Sequence, residues 1–426
     1  MLPPSSTQAS PLHQQTFSLD HQGFTDLLAN TENLLLIQDL DGVCMGLVKD
    51  PLNRSISRAY VEAAAAYDGH FFVLTNGEHI GKRGINGIVA KALQQPMGDL
   101  HLPGLAAGGV QWQDRSGQLT HPGVSDTELA FLQAVPDRIK TTLEAFLCTV
   151  DHGLSSETLI HCINASVLDN VASPTANLNT FYETLNNLAL YQQLQTQMRE
   201  LTDRLLIEAE AEGLGTSFFV HYAPNLGRDE QGDEVIWRAD NTTSGTTDFQ
   251  FMLRGAIKEA GVLSLLNRYY FMTTGLHPLG IGFNARQAPR RMEDMLALVK
   301  QNFDPAYMPR IIGVGDTVTS QAVDTDNGLV FKRGGSDRNF LQLIQNIGQA
   351  LESGNLVVYV DSSGGELKNR RALQVETHGG ISKVIQGPGD PRDHSDPLTL
   401  NIVFPGGHEQ YCEAFQAGAI ARQNRP

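Results

Sequence analysis

Cysteine is scarce in this chain. The four that occur, Cys44, Cys148, Cys162 and Cys412, are scattered and never form a CxxC pair. That excludes a zinc-ribbon spacing and a disulfide framework, and fits a reduced, cytoplasmic protein. Basic charge is also short: Lys and Arg number 31 against 47 Asp and Glu, for a formal net charge of -16. Nucleic acid or an anionic membrane surface would require clustered cations facing phosphates, so neither is expected as a partner. No apolar run is long enough to span a bilayer. The N-terminal MLPPSSTQASPLH lacks the basic and apolar segments of a secretory signal. Its Pro, Ser and Gln cannot offset the entropy of ordering, so residues 1–13 read as a disordered leader.

What is present is 41% apolar residues over 426 positions, enough for two domains with buried cores. Leu34–Gln38 (LLLIQ), Phe71–Leu74 (FFVL), Ile311–Val314 (IIGV) and Leu356–Val360 (LVVYV) are continuous apolar runs, the pattern of strands buried on both faces. Helical stretches at 60–67, 292–301 and 339–351 lie between or beside them. Strands alternating with helices predict a parallel sheet covered on both sides. The middle differs. Leu105–Gly117 reads as a short strand and hairpin, 180–212 as one long amphipathic helix carrying Leu185, Leu188 and Leu190, and Phe218–Tyr222 (FFVHY) as a strand. This predicts an α+β unit inserted at 85–250 in a core made of 14–84 and 251–426.

Asp39-Leu40-Asp41-Gly42-Val43 directly follows the first apolar run. Two carboxylates at the end of a buried strand are costly unless something pairs with them, and strand C-termini are where open α/β sheets bind ligands. Thr75 follows the second run, Lys258 stands at a predicted helix start, and Asp316 follows Ile311–Gly315. A helix N-terminus with an ammonium makes an anion site. Taken singly, each has a plainer reading: a turn, a strand stop, a solvated lysine.

In this order the four resemble the motifs of haloacid-dehalogenase-like phosphatases. The resemblance implies a Rossmann-like parallel-sheet core with an inserted α+β cap, here between Thr75 and Lys258. It implies catalytic roles for Asp39 as nucleophile, Asp41 as acid and base, and Thr75 and Lys258 as phosphate-holding groups. It also implies Mg²⁺ held by Asp39, Asp41 through its carbonyl, and Asp316. The second acidic residue of the last motif is displaced, because Ser320 stands where it would fall. Asp337, in Gly335-Ser336-Asp337-Arg338, is the first candidate for it, with Asp324 and Asp326 next, and a polar loop is taken to split the motif.

Longer segments, TNGEHIGKRG from Thr75, VLDNVASPTANLN from Val167, FFVHYAPNLGRDE from Phe218, SGTTDFQFMLRGAIKEAG from Ser244 and IIGVGDTVTS from Ile311, resemble the glucosylglycerol-phosphate phosphatase family. The likeness runs from about Gln14 to near Arg422. It implies hydrolysis of glucosylglycerol 3-phosphate in compatible-solute synthesis, with the cognate synthase as an associated partner. Alternatives sharing the chemistry are a trehalose- or sucrose-phosphate phosphatase and a sugar phosphotransferase or phosphomutase. An uncharged glucosyl unit is read by short polar groups, so Asn76, Gly77, Glu78, His79, Asn170, Asn177, His221 and Asn225 are the substrate-binding candidates. Their plainer reading is turns and caps. His101 and His408 read as structural.

Overall fold

The computed structural model describes residues 10–228, 234–241, 243–325, 328–367 and 370–425. In chain order the strands are β1 (Leu34–Gln38), β2 (Phe71–Leu74), β3 (Gly104–Ala106), β4 (Gln111–Gln113), β5 (Leu119–Thr120), β6 (Val167–Leu168), β7 (Thr175–Asn177), β8 (Phe218–Ala223), β9 (Asn225–Arg228), β10 (Glu234–Ile236) and β11 (Asp248–Leu253). β12 (Arg310–Gly315), β13 (Thr319–Thr325), β14 (Gly328–Gly334), β15 (Leu356–Val360), β16 (Gln374–His378), β17 (Ile381–Gln386) and β18 (Ile402–Phe404) complete the set. The main sheet runs β18-β15-β12-β1-β2-β3-β4-β5, parallel from β18 to β3 and antiparallel at β4 and β5.

The continuous apolar runs follow from this position. Leu34 and Leu36 of β1 face one core, with the helices His21–Asn30, Arg58–Ala66, Ile85–Leu93 and Gly407–Gln423. Leu35 and Ile37 face the other, with Lys258–Thr274, Met292–Asn302 and Arg338–Leu351. Each such side chain contributes roughly 1.5–3 kcal/mol by leaving water. Gln38, the polar end of the run, is buried but satisfied, bonded by its amide to Tyr60 and by the Tyr411 hydroxyl at 2.6 Å. The result is an α/β core around a mostly parallel sheet, with a second α+β unit inserted in it.

That unit has its own core and a sheet ordered β6-β7-β11-β8, backed by the helices Asp126–Leu147, Ser156–Ser166, Asn179–Thr184 and Leu188–Ala211. Its extent differs from the expected 85–250. Helix Ile85–Leu93 packs in the first core, and the β3–β5 hairpin extends the main sheet, because β3 pairs in parallel with β2. The separate sheet instead runs on through Leu253, since β11 pairs with β8 over its full length. Arg286 clamps both crossings, donating to Gly123 O and Arg254 O and pairing with Glu128 at 2.8 and 2.9 Å. The expected long helix at 180–212 is broken at Leu185–Asn187, where the Asn187 side chain caps the second helix through Leu190 N at 3.1 Å. Of the expected leader, residues 1–9 lie outside the described residues. Leu12–Gln14 forms a 3-10 turn whose His13 carbonyl accepts from Asn401 at 3.0 Å.

Candidate active site

Three neighbouring parallel strands bring the sequence candidates together. β12, β1 and β2 lie side by side, and Asp316, Asp39 and Thr75 follow their C-terminal ends. Gly42 shapes the turn after Asp39. Its φ of +77° suits glycine, and a Cβ there would collide with the Asp316 carboxylate. Lys258 opens the helix Lys258–Thr274, so its ammonium is delivered to the same end of the sheet.

Lys258 Nζ donates to Asp39 Oδ2 and to Asp337 Oδ1, both at 2.6 Å, and all three residues are buried. Asp337 Oδ2 accepts from the amides of Asp316 and Thr317 at 2.9 and 3.0 Å. Asp337 is therefore the acid brought beside Asp39 and Asp316. Asp324 lies exposed on the β13–β14 hairpin, and Asp326 falls outside the described residues. The segment that separates Asp316 from Asp337, expected as a loop, is this hairpin: seven residue pairs from Thr319↔Gly334 to Thr325↔Gly328 return the chain to its starting point.

One ammonium cannot neutralise three buried carboxylates. Burial, then repulsion from Asp337 and Asp316, pushes Asp39 well above the carboxylate range against the pull of Lys258. Burial, then Asp337, pushes Asp316 up to about 7. Asp337 alone is held low: burial pushes it up, but Lys258 and the amides of Thr317 and Asp316 together outweigh that. Burial pulls Lys258 down, but Asp337 and Asp39 raise it on balance. Asp39, Asp316 and Asp337 each offer a carboxylate oxygen within 4.8 Å of the others, and Asp316 Oδ2 is buried without a hydrogen bond. An all-oxygen set with excess negative charge and an orphaned lone pair fits a hard divalent cation.

The other candidates divide. Asp41 is a third exposed and pairs with Arg54 at 2.9 Å. Thr75 is buried and accepts from Gly77 N at 3.2 Å, with Asn76 and Gly77 half-buried beside it. Glu78 was expected among the substrate-binding residues. Its carboxylate is instead consumed by Val171 N and Ala172 N at 2.8 Å, Ser173 Oγ at 3.0 Å and Gln111 Nε2 at 3.2 Å, which ties the inserted unit to the core. His79 is fully buried, bonded to Gly104 O and pushed down to about 4 by burial, so it is part of the scaffold. Asn170 donates to Ser173 O. Asn177 donates to Asp248 Oδ1 at 2.6 Å and accepts from Asn179 N. Asn225 bonds Tyr222 O and Glu234. His221 keeps partial exposure, its Nδ1 3.0 Å from both Glu234 oxygens.

Pairing in the β7-β11-β8 register sets Asn177 beside Asp248, and Thr175 beside Gln250 and His221, on one face of the inserted sheet. Asp248, which the sequence reading passed over, is pushed up to about 6 by burial. Arg54 and Arg370 were also missed. Arg370 Nε lies 3.8 Å from Asp316 Oδ2 and its Nη2 donates to Thr317 Oγ1. A basic run at 368–371 in so acidic a chain was a usable signal for Arg370; nothing in sequence marked Arg54.

The sequence profile of the glucosylglycerol-phosphate phosphatase family matches residues 33–419. A glucosylglycerol-phosphate phosphatase from Synechocystis sp. is 60% identical over 421 residues, covering 97% of this chain and 98% of that one. Among solved structures, the Aspergillus fumigatus trehalose-6-phosphate phosphatase is 11% identical, with 96% of this chain and 100% of that chain covered at a TM-score of 0.39. The C-terminal domain of the Candida albicans trehalose-6-phosphate phosphatase is 9% identical, with 96% and 99% covered at 0.44. With nearly its whole length matched, the chain belongs to the glucosylglycerol-phosphate phosphatase family.

Proposed function

We propose that this protein hydrolyses glucosylglycerol 3-phosphate to glucosylglycerol and phosphate through an aspartyl-phosphate on Asp39. One observation carries the reading: a buried carboxylate at a strand end, bonded to Lys258 and flanked by Asp316 and Asp337, in a chain 60% identical to a glucosylglycerol-phosphate phosphatase. Asp39 attacks phosphorus in line, and the bond from phosphorus to the substrate oxygen breaks as Asp41 gives that oxygen a proton. Water then attacks the acyl phosphate, Asp41 takes the water's proton, and Asp39 leaves as a carboxylate. Thr75 and Lys258 hold phosphoryl oxygens as charge redistributes. Mg²⁺, held by Asp39, Asp316, Asp337 and the Asp41 carbonyl, would supply positive charge beside a phosphoryl oxygen.

The inserted unit acts as the cap that selects the sugar. Its face bearing His221, Asp248 and Gln250 offers an imidazole, a carboxylate and an amide for hydroxyl groups. Glu78 tethers its Val171–Ser173 segment three residues beyond Thr75, and Glu183 pairs with Lys49 on the segment after Asp41. A cytoplasmic setting and supply of substrate by the cognate synthase belong to the same reading; among the described residues no helix is long and apolar enough to cross a membrane. Phosphate release over a panel of sugar phosphates, with chelator and with Mg²⁺, tests it. Glucosylglycerol 3-phosphate should give the highest kcat/KM and chelator should stop turnover. Preference for trehalose 6-phosphate or sucrose 6-phosphate would replace the substrate.

A further inference from the structure

We propose that Arg54 is a positioning residue that sets the Asp41 carboxylate and couples its placement to the docking of the inserted unit. The inference rests on the acid–base role given to Asp41 above.

The Arg54 side chain is only 11% exposed, and each guanidinium nitrogen has a different task. Nε donates to Pro51 O at 3.2 Å, which fixes the plane of the group. Nη1 donates to Asp41 Oδ2 at 2.9 Å, and Nη2 donates to Arg83 O. Arg83 then carries the connection onward. Its own side chain is 4% exposed, with Nη1 donating to Val167 O at 2.8 Å and Nη2 to Asn164 O at 3.0 Å. Asn164 and Val167 belong to the helix Ser156–Ser166 and to β6 of the inserted unit. An unbroken chain of hydrogen bonds thus runs from Asp41 through two arginines to that unit.

The guanidinium also borders the turn after β2. A Cβ built on Gly77 would stand 3.7 Å from Arg54 Nη1 and 3.6 Å from Thr75 Oγ1. Arg54 therefore lies beside the phosphate-holding turn while its bonds are spent on Asp41 and Arg83.

Asp41 needs such a support. Its side chain is 34% exposed and stands on the turn closed by Gly42 N to Met45 O at 2.8 Å. Leu40 and Val43, on either side, are anchored in the core, whereas the Asp41 side chain reaches solvent and pairs with Arg54. A proton must reach the departing oxygen along a short, aligned path, and displacement by about 1 Å can cost on the order of 100-fold. A planar guanidinium bonded in three directions holds a carboxylate in one place better than a single rotatable ammonium. If the inserted unit shifts, the Arg83 carbonyl shifts with it and Arg54 loses its second anchor, so correct seating over substrate and correct placement of Asp41 occur together.

The test uses full-length wild type, Arg54→Gln, Arg54→Lys and Arg83→Met with Mg²⁺, comparing glucosylglycerol 3-phosphate with p-nitrophenyl phosphate. The phenolate leaves without a proton, so phosphorylation of Asp39 stays fast while hydrolysis of the acyl phosphate, which needs Asp41 as base, slows. Arg54→Gln should lower kcat on the sugar phosphate roughly 100-fold with KM within about twofold. On p-nitrophenyl phosphate it should show a burst of nitrophenolate larger than that of wild type, followed by slow turnover. Arg54→Lys should recover part of kcat, and Arg83→Met should give a smaller version of both effects. Arg83→Met decides alone if circular dichroism shows Arg54→Gln unfolded. A kcat within about threefold of wild type overturns the inference, as does a KM rise on both substrates without a burst, which would make Arg54 a phosphate ligand. A wild type without sugar-phosphatase activity would instead remove the functional reading beneath it.

Discussion

Replacing Asp316 with asparagine should stabilise the metal-free protein while abolishing turnover. Asp316 is 1% exposed, its Oδ2 accepts no hydrogen bond, and burial followed by repulsion from Asp337 raises it from 3.8 to about 7. A carboxyl raised on folding is bound to its proton more tightly in the native state. The native state therefore loses stability as pH climbs from about 4 to about 7, and carries the whole penalty above that. At roughly 1.4 kcal/mol per unit the ceiling is about 4 kcal/mol, and relaxation around the site brings the expected gain to about 2–4 kcal/mol. The Asp316→Asn side chain keeps an oxygen to accept from Thr317 Oγ1, a bond of 2.7 Å in the native protein, and sheds only the charge. Urea denaturation in chelator at about pH 8 should give the variant the higher midpoint, with the gap closing toward about pH 4. Adding Mg²⁺ should stabilise wild type by about 2.7 kcal/mol at 100 times its Kd and leave the variant unmoved. A variant less stable than wild type in chelator at the higher pH, or a gap indifferent to pH, would refute the electrostatic reasoning.

Two further outcomes follow from the same geometry. Glu78→Ala strands the Val171 and Ala172 amides and the Ser173 hydroxyl, so it should cost about 3 kcal/mol or more and raise protease cleavage at the 164–173 segment; a melting profile and cleavage pattern like wild type would remove its tethering role. His221→Ala should lower kcat/KM for glucosylglycerol 3-phosphate by about 0.5–1.5 kcal/mol of transition-state binding and barely change p-nitrophenyl phosphate, whereas Asn177→Ala should act more weakly and through Asp248; an equal fall on both substrates would move the sugar pocket elsewhere.

The strands that carry the site were legible because β1, β2, β12 and β15 are buried on both faces, which leaves continuous apolar runs. The ends of those runs then located Asp39, Thr75 and Asp316, and the helix start located Lys258. Asp337 was legible only as one of three acids. Its selection depends on the β13–β14 pairing, which returns the chain to Asp316 and is a non-local fact. The same limit explains the β3–β5 hairpin, whose membership in the main sheet is decided by the β2–β3 contact and not by its own residues. The bonds of Glu78 were not legible, because its neighbour Thr75 suggested substrate while its partners lie more than ninety residues away at Val171–Ser173. The bonds of Asn177 and Asn225 were hidden for a related reason: short polar side chains are often spent on neighbouring polar groups, here Asp248, and Tyr222 with Glu234.

Asp39 is the residue proposed to receive the phosphoryl group. Rapid acid quench of the enzyme turning over phosphorus-labelled glucosylglycerol 3-phosphate with Mg²⁺, followed by peptide mapping, reads this directly. The label should sit on the peptide containing Leu34–Asp41, be base-labile as an acyl phosphate, and vanish in Asp39→Asn, which should fold normally and not turn over. Label on another peptide, or turnover near wild type in Asp39→Asn, would contradict it.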